Sequence, residues 1–201
     1  ILDAKNTKNN GYPYAKVPEE GGKTTINYNH DSYYKRNILS SGLKAEFDIG
    51  EYTLNSVTSY QLLDDFQEID QDFTPDRLLY VTQDRRHHML TQEINFSVSQ
   101  NKRLDFVTGV FGFYQLRDKQ VDVFYGEDAV PMFKLPSEMQ KIKNYDKTTG
   151  GLAIFGQMSY QDFLIENLEA TVGLRYDYEY NQLDYLYLLN MNDNESVRGD
   201  F

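Results

Sequence analysis

Residues 168–180 read LEATVGLRYDYEY, and apolar and polar side chains alternate along the whole stretch. The even positions are apolar or aromatic, while the odd positions are Glu169, Thr171, Gly173, Arg175, Asp177 and Glu179. A side-chain period of two is typical of an extended strand with one apolar and one polar face. Strands in globular proteins usually have about 5 or 6 residues. The stretch therefore predicts an unusually long strand with two different faces.

The composition excludes several classes of function. The chain has 201 residues, a formal net charge of -11 and no cysteine. Nucleic acid is not an expected partner, because phosphate binding needs a basic stripe that this sequence lacks. No apolar run reaches the length of about 18 residues expected of a transmembrane helix. No nucleophile, phosphate-loop or metalloprotease motif occurs, so we expect neither enzyme activity nor a cofactor.

Similar alternation or β-favouring composition recurs along the chain and predicts about six long strands. These segments are 39–49, 52–61, 89–98, 104–116, 150–160 and 168–180. The predicted order is a loop over 1–32, a hairpin over 33–69, a long loop over 70–86, a hairpin over 87–120, a long loop over 121–147, a hairpin over 148–184 and a loop over 185–201. The fold class is therefore all-β, an antiparallel up-and-down meander.

The connections alternate in length in a way that favours a membrane barrel. Short turns are expected near Gly50, near Asn101 and over 162–167, whereas the other connections are long and polar. Short turns at one end and long loops at the other are typical of transmembrane β-barrels. Six strands make too small a ring to close on their own. The chain is therefore expected to be an arc of a larger transmembrane barrel.

A soluble antiparallel sheet also alternates apolar and polar residues, so a soluble all-β ligand-binding module without transport activity is the alternative. Strand length, the separation of short and long loops, and tyrosines near the expected strand ends favour the barrel. In a barrel the charged side chains of the polar face point into the lumen, where they stay hydrated or paired. The predicted lumen-facing residues are Glu93, Glu169, Arg175, Asp177 and Glu179.

Four ordered stretches carry a resemblance to a known family. They are LNSVTSYQ with DQDFTP after it, TQEINFS followed by LDFVTGVFGFYQ, LAIFGQMSYQ, and NLEATVGLRYDYE. In this order they resemble the barrel of the TonB-dependent outer-membrane receptors, in particular the iron-siderophore branch. The resemblance extends over roughly residues 33–179.

This resemblance implies a plugged barrel in the outer membrane of a Gram-negative bacterium. It implies that the receptor binds a scarce small molecule, an iron-siderophore in that branch, and imports it with energy passed through TonB. Outer-membrane lipid would surround the barrel. The sequence contains no plug segment, so contact with TonB is expected through a plug region outside these residues.

Ligand contacts are expected from the long loops, because loops on rigid scaffolds often carry binding residues. The candidates combine carboxylates with aromatic and thioether side chains: Asp70, Asp72, Tyr80, Phe124, Tyr125, Met132 and Phe133. No metal site is predicted. His87 and His88 are adjacent, and adjacent side chains on a strand point to opposite faces, so they cannot readily chelate one metal ion.

Overall fold

A computed structural model describes residues 1–12, 14, 25–101, 103–162, 165–191 and 196–200 of the chain. The strands are β1 (Leu2–Asn10), β2 (Tyr33–Ile49), β3 (Tyr52–Asp70), β4 (Leu79–Asn101), β5 (Leu104–Tyr125), β6 (Met139–Tyr160), β7 (Ala170–Met191) and β8 (Ser196–Asp200). A short helix, α1 (Ala129–Phe133), lies between β5 and β6. In the described residues, no helix is long and apolar enough to cross a membrane.

The described strands form one antiparallel sheet in which every strand pairs with its neighbours in the sequence. The six strands β2–β7 have 17 to 23 residues each. This architecture confirms the predicted all-β meander of long strands. Strands β1 and β8 each have a single neighbour, so the described sheet is open. An open edge leaves backbone N–H and C=O groups unpaired, which is tolerated in water but not in lipid.

The strands extend well beyond their predicted ends. The predicted loop over 1–32 is wrong for Leu2–Asn10, which pairs with β2 from Leu2↔Ser41 to Asn10↔Tyr33. The predicted loops over 70–86 and 121–147 shrink to 71–78 and 126–138. The predicted loop over 185–201 contains the end of β7 and the strand β8. The segments 2–10 and 139–147 are largely polar on both faces, and 185–191 is largely apolar on both, so none of them alternates apolar and polar residues although their backbones pair.

The turns follow the predicted separation only in part. Gly50 has a φ of +66° at the β2–β3 turn, a conformation that suits glycine. The β6–β7 connection takes up 161–169, and Asp162 and Asn167 adopt positive φ there. This connection is not shorter than 71–78, so the predicted turn over 162–167 is longer than expected. The 11–32 and 126–138 connections both lie at the opposite end, which we call the long-loop end.

Apart from a shift between Ser99 and Asn101, the cross-strand register of β2–β7 is continuous and assigns their residues to two faces. The apolar face carries Leu152, Ile154, Met158, Val172 and Leu174, and the polar face carries Glu93, Arg175, Asp177 and Glu179. Leu152 is 69% exposed and Leu174 is 83% exposed. Among the described residues, the buried apolar side chains are Val81, Ala129, Met139 and Ala153. The described chain therefore has no core that covers its apolar face.

Aromatic side chains border this apolar face. Tyr60, Tyr114 and Tyr180 occupy one cross-strand row through Leu90 and Gly150, which we call the tyrosine row. Tyr52 and Tyr160 lie on the same face near the short turns. Tyr52 and Tyr60 are eight positions apart, which corresponds to about 26 Å along the strand at about 3.3 Å per residue, before any strand tilt. Apolar bands of membrane barrels are about 25 Å tall between aromatic girdles.

The apolar face becomes charged beyond the tyrosine row. The row four residues further along consists of Asp64, Arg86, Asp118, Asp146 and Asp184. Charged side chains are costly in hydrocarbon and favourable in water. The apolar band therefore ends between these two rows, and the strand segments beyond the tyrosine row form what we call the long-loop half. Tyr52 and Tyr160 lie at strand ends, whereas the tyrosine row lies in mid-strand, because the strands continue past it.

Candidate ligand-binding surface

Asp70 is held by the backbone of its own loop. Its carboxylate accepts hydrogen bonds from the backbone N–H of Phe73 at 2.8 Å and of His30 at 3.2 Å. Its own backbone N–H donates to Ser32 Oγ at 2.9 Å. The residue is fully buried, and this burial raises the pKa of the carboxyl above its usual value. Asp70 therefore fastens the 25–32 segment to the end of β3.

Asp72 orders the β3–β4 connection in a similar way. Its oxygens accept hydrogen bonds from the backbone N–H of Thr74 at 2.9 Å and of Leu79 at 3.0 Å. The Thr74 hydroxyl also donates to the carboxylate. Both candidate carboxylates are thus engaged by the chain itself. A direct ligand contact by Asp70 or Asp72 stays a prediction.

Replacing Asp70 with alanine should loosen both segments that it joins. The change leaves the Phe73 and His30 N–H groups without an acceptor, and a buried unsatisfied donor costs about 1–3 kcal/mol. Hydrogen exchange measured by mass spectrometry should speed up at both amides. The matched control is Asp76→Ala in the same connection, where the side chain is exposed. Equal exchange in the two variants would contradict this role of Asp70.

The candidate aromatic residues divide between the two faces. Tyr80 and Phe124 lie on the same side as the apolar face, and their rings stack 4.4 Å apart. His30 stacks on the other side of Tyr80 at 3.9 Å and approaches Glu68 Oε1 at 2.5 Å. Burial, followed by the Glu68 charge, raises the pKa of Tyr80. The stack of His30, Tyr80 and Phe124 therefore lies at the long-loop end, on the same side of the sheet as the apolar face.

Tyr125 belongs to the polar face and is joined to α1. Its ring meets Phe133 edge-on at 6.1 Å, and its hydroxyl accepts a hydrogen bond from Lys141 Nζ at 3.0 Å. Met132 and Phe133 are exposed on α1. The structure therefore brings Tyr125, Met132 and Phe133 together but separates them from Tyr80 and Phe124. Ligand contact by any of these residues stays a prediction.

The charged residues expected in a lumen occupy one face between the two aromatic borders. Glu93 and Asp177 share a cross-strand row through Phe111 and Ala153. Arg175 donates to both oxygens of Asp177, with its Nε 3.0 Å from each. Asn181 donates to Glu179 at 2.9 Å. All four strand residues thus lie on the polar face. That this face lines a lumen stays a prediction.

Glu169 differs from the other predicted lumen residues. It precedes β7, which begins at Ala170, and its side chain is exposed. Strand alternation therefore does not assign Glu169 to a face. The predicted separation of His87 and His88 is confirmed: His88 Nδ1 lies 2.8 Å from the Tyr60 hydroxyl on the apolar side, and His87 contacts Gln115 on the polar side. In the described residues, no group of three or more potential metal ligands is close enough to hold an ion.

The long-loop half separates charge by face, a feature that sequence reasoning missed. On the polar face, β2–β7 carry seven cations and one carboxylate: Arg36, Arg85, Arg117, Lys119, Lys141, Lys143, Lys147 and Asp65. The other face carries eight carboxylates and two cations: Asp64, Glu68, Asp70, Asp84, Asp118, Asp122, Asp146, Asp184, Lys35 and Arg86. The sequence signal is a change of charge sign with period two, as in Arg117, Asp118 and Lys119.

Asp65 neutralises part of this cationic face. Its side chain is 4% exposed, and it accepts hydrogen bonds from Arg85 Nε at 3.1 Å, from a second Arg85 nitrogen, and from the Tyr34 hydroxyl at 3.2 Å. Arg36 Nε lies 3.9 Å from the same carboxylate. The hydrogen bond to Asp65 raises the pKa of Arg85, which stays charged. The Asp65 carboxylate thus forms ion pairs with both guanidinium groups.

No protein-family model matches the chain, and no curated protein matches it. Among solved structures it is similar to the ferric yersiniabactin uptake receptor FyuA from Yersinia pestis, with 16% sequence identity and a TM-score of 0.49. The match covers 94% of this chain and 33% of that receptor. The chain thus spans about a third of the length of the receptor that it matches.

Proposed function

We propose that the chain forms part of the wall of a TonB-dependent receptor in the outer membrane of a Gram-negative bacterium. In this proposal the receptor binds a scarce small molecule, of the iron-siderophore class, and imports it. The observation that carries the proposal is the exposed apolar face bordered by tyrosines, on strands that continue into a charged half. The four ordered sequence stretches support the choice of family.

The surroundings of the chain follow from its two faces and its open edges. The apolar side chains of β6 and β7 are exposed side by side on one face, and lipid is the partner that we propose for this face. The single-neighbour edges of β1 and β8 call for further strands that complete a ring. Contact with TonB is assigned to a plug region outside these residues. No enzymatic step is proposed.

The alternative of a soluble binding module needs the apolar set to be covered by protein. Leu152, Ile154, Met158, Val172 and Leu174 are all exposed instead, and the described residues offer nothing that packs on them. The polar face is also too strongly charged in its long-loop half to serve as the inside of a soluble sandwich. These two observations favour the membrane wall.

Site-directed spin labelling tests the membrane assignment directly. These 201 residues contain no cysteine. Single cysteines are therefore placed at each position from 171 to 180 of the protein that the gene encodes, after any cysteine outside these residues has been replaced with serine. After reconstitution into liposomes, collision with lipid-soluble oxygen should peak at even positions. Collision with water-soluble neutral nickel chelate should peak at odd positions.

The alternative predicts a different result. A protein that stays monodisperse without detergent, with no oxygen maximum at Val172 or Leu174, is a soluble module and refutes the proposal. Labels at Asp118 and Asp146 in the long-loop half serve as internal controls. They should be accessible to the nickel chelate although they share the face of the lipid-exposed residues.

A further inference from the structure

Four cations of the polar face have no partner within the described chain. Arg117, Lys119, Lys143 and Lys147, which we call the basic strip, form no ion pair within 4.0 Å of a described carboxylate. They lie on the neighbouring strands β5 and β6. Arg36 and Arg85, by contrast, share Asp65. Lys141 forms no ion pair either, but it donates to the Tyr125 hydroxyl. The basic strip therefore consists of the polar-face cations in the long-loop half of β2–β7 that have neither an ion pair nor a hydrogen bond within the described chain.

The cross-strand pairing within the basic strip places like charges opposite each other in the sheet. Arg117 lies directly opposite Lys147, and Lys119 lies opposite Tyr145. Like charges in direct cross-strand register destabilise a sheet. The acids of the same strands, Asp118 and Asp146, point to the other face and leave the repulsion uncompensated. No described carboxylate reduces the repulsion between Arg117 and Lys147 by forming an ion pair with them. Binding of an anion from outside the described chain would reduce it.

Tyrosines complete the surface around the strip. Tyr145 and Tyr185 are directly opposite on β6 and β7, and their ring centroids lie 4.9 Å apart. Tyr187 lies two residues further along the same face. Phenol groups donate hydrogen bonds to anionic oxygens and offer apolar ring surface. Lysine and arginine supply the charge for such oxygens.

The spacing of the strip sets the size of its ligand. Directly opposed residues such as Arg117 and Lys147 have Cβ atoms about 5 Å apart. Lys143 and Lys147 are separated by four residues along one strand, which is about 13 Å. A single carboxylate cannot reach all four cations. A small molecule with several anionic groups spread over about 5–13 Å can.

We propose that the basic strip is a binding surface for a small polyanion that carries two or more anionic oxygen groups. This proposal rests on the proposed function, because the ligand must enter between the polar faces of a closed ring. It specifies the sign of the ligand's charge, because a metal chelate bound at the basic strip would carry a net negative charge. The acidic opposite face repels the same anion, so binding is confined to the inner side.

The test measures the local concentration of a defined trianion, tris(oxalato)chromate(III), against a neutral nickel chelate. A spin label at Val121, opposite Lys143 on the polar face, reports collisions with each reagent in the liposome-reconstituted protein that the gene encodes. A label at Gln120, on the opposite face, is the matched control. Surface potentials of several kT enrich counter-ions, so we expect the trianion-to-neutral ratio at Val121 to exceed that at Gln120 by about tenfold.

Variants identify the source of the enrichment. The quadruple variant Arg117→Gln, Lys119→Gln, Lys143→Gln, Lys147→Gln should lower the ratio at Val121 most of the way towards that at Gln120, because it removes four of the seven cations on the polar face of the long-loop half. Asp118→Asn with Asp146→Asn should leave it high. If the quadruple variant does not fold, Lys119→Gln and Lys143→Gln should each lower the ratio about two- to threefold, in keeping with the charge removed.

Two results would overturn the proposal. One is an equal ratio at Val121 and Gln120, which means that carboxylates elsewhere in the assembled protein already neutralise the strip. The other is an enrichment that survives the glutamine variants. The oxygen pattern over 171–180, measured on the same samples, separates these failures from a failure of the proposed function. An intact pattern with no enrichment refutes the polyanion alone.

Discussion

Replacing Leu174 with arginine should sharply reduce the amount of folded protein in the membrane. Leu174 is 83% exposed in the middle of the apolar face, between the rows of Val172 and Tyr176. Arginine at the lipid-facing midplane of a barrel costs about 2–4 kcal/mol, or roughly 30- to 900-fold in the folding equilibrium. Heat-modifiable mobility of the outer-membrane fraction on gels measures the folded share.

The control for this change is Gln157→Arg. Gln157 lies one residue from the row of Leu174 on the neighbouring strand but belongs to the polar face, opposite Gly173. An arginine there stays hydrated, so we expect the folded share to change little. Comparable losses in the two variants would show that Leu174 does not face lipid.

The second large effect is expected from Gly109→Val on β5. An added Cβ at Gly109 would lie 2.5 Å from Cζ of Phe155 and 2.7 Å from the backbone oxygen of Ile94. Ring displacement can relieve the first contact, but the second is with the backbone. Overpacking of this kind costs about 1–3 kcal/mol, occasionally more. Urea unfolding of the reconstituted protein should show a lower midpoint.

Gly156 provides the comparison for Gly109. It lies on β6 beside Thr108, and an added Cβ there would meet its nearest neighbour at 3.6 Å, an ordinary contact. Gly156→Ala should therefore unfold near the urea midpoint of the unmodified protein. Should Gly109→Ala and Gly156→Ala lower the midpoint equally, the close packing of Phe155 over Gly109 would not be the cause.

The sequence alone predicts the strand segments that have one apolar and one polar face. In 168–180 and 150–160 one face is apolar and the other polar, so the period of two is visible and the strands were predicted. In the segment 139–147 both faces carry mostly polar side chains. The backbone still pairs there, but the apolar signal is lost, and the sequence predicts a loop.

The basic strip was missed for the same reason. Arg117 and Lys119 alternate with Asp118, and Lys147 follows Asp146, so a linear reading finds mixed charge of no particular sign. Once the strand is known to continue, alternation separates the two signs. The contacts of Asp70 could not be predicted either, because His30 and Phe73 reach it through loop conformation rather than through a periodic pattern.

The separation of charge by face also limits how this part of the chain can change in length. Seven cations and one carboxylate give the polar face of the long-loop half a charge of +6, while two cations and eight carboxylates give the opposite face a charge of -6. The β2–β7 segments of the long-loop half are thus neutral in sum, and their two faces carry opposite charge. Inserting one residue into a strand moves every later side chain to the opposite face. Single-residue insertions there exchange the two signs locally, whereas insertions of two residues preserve them, so length can vary in these strands only by pairs.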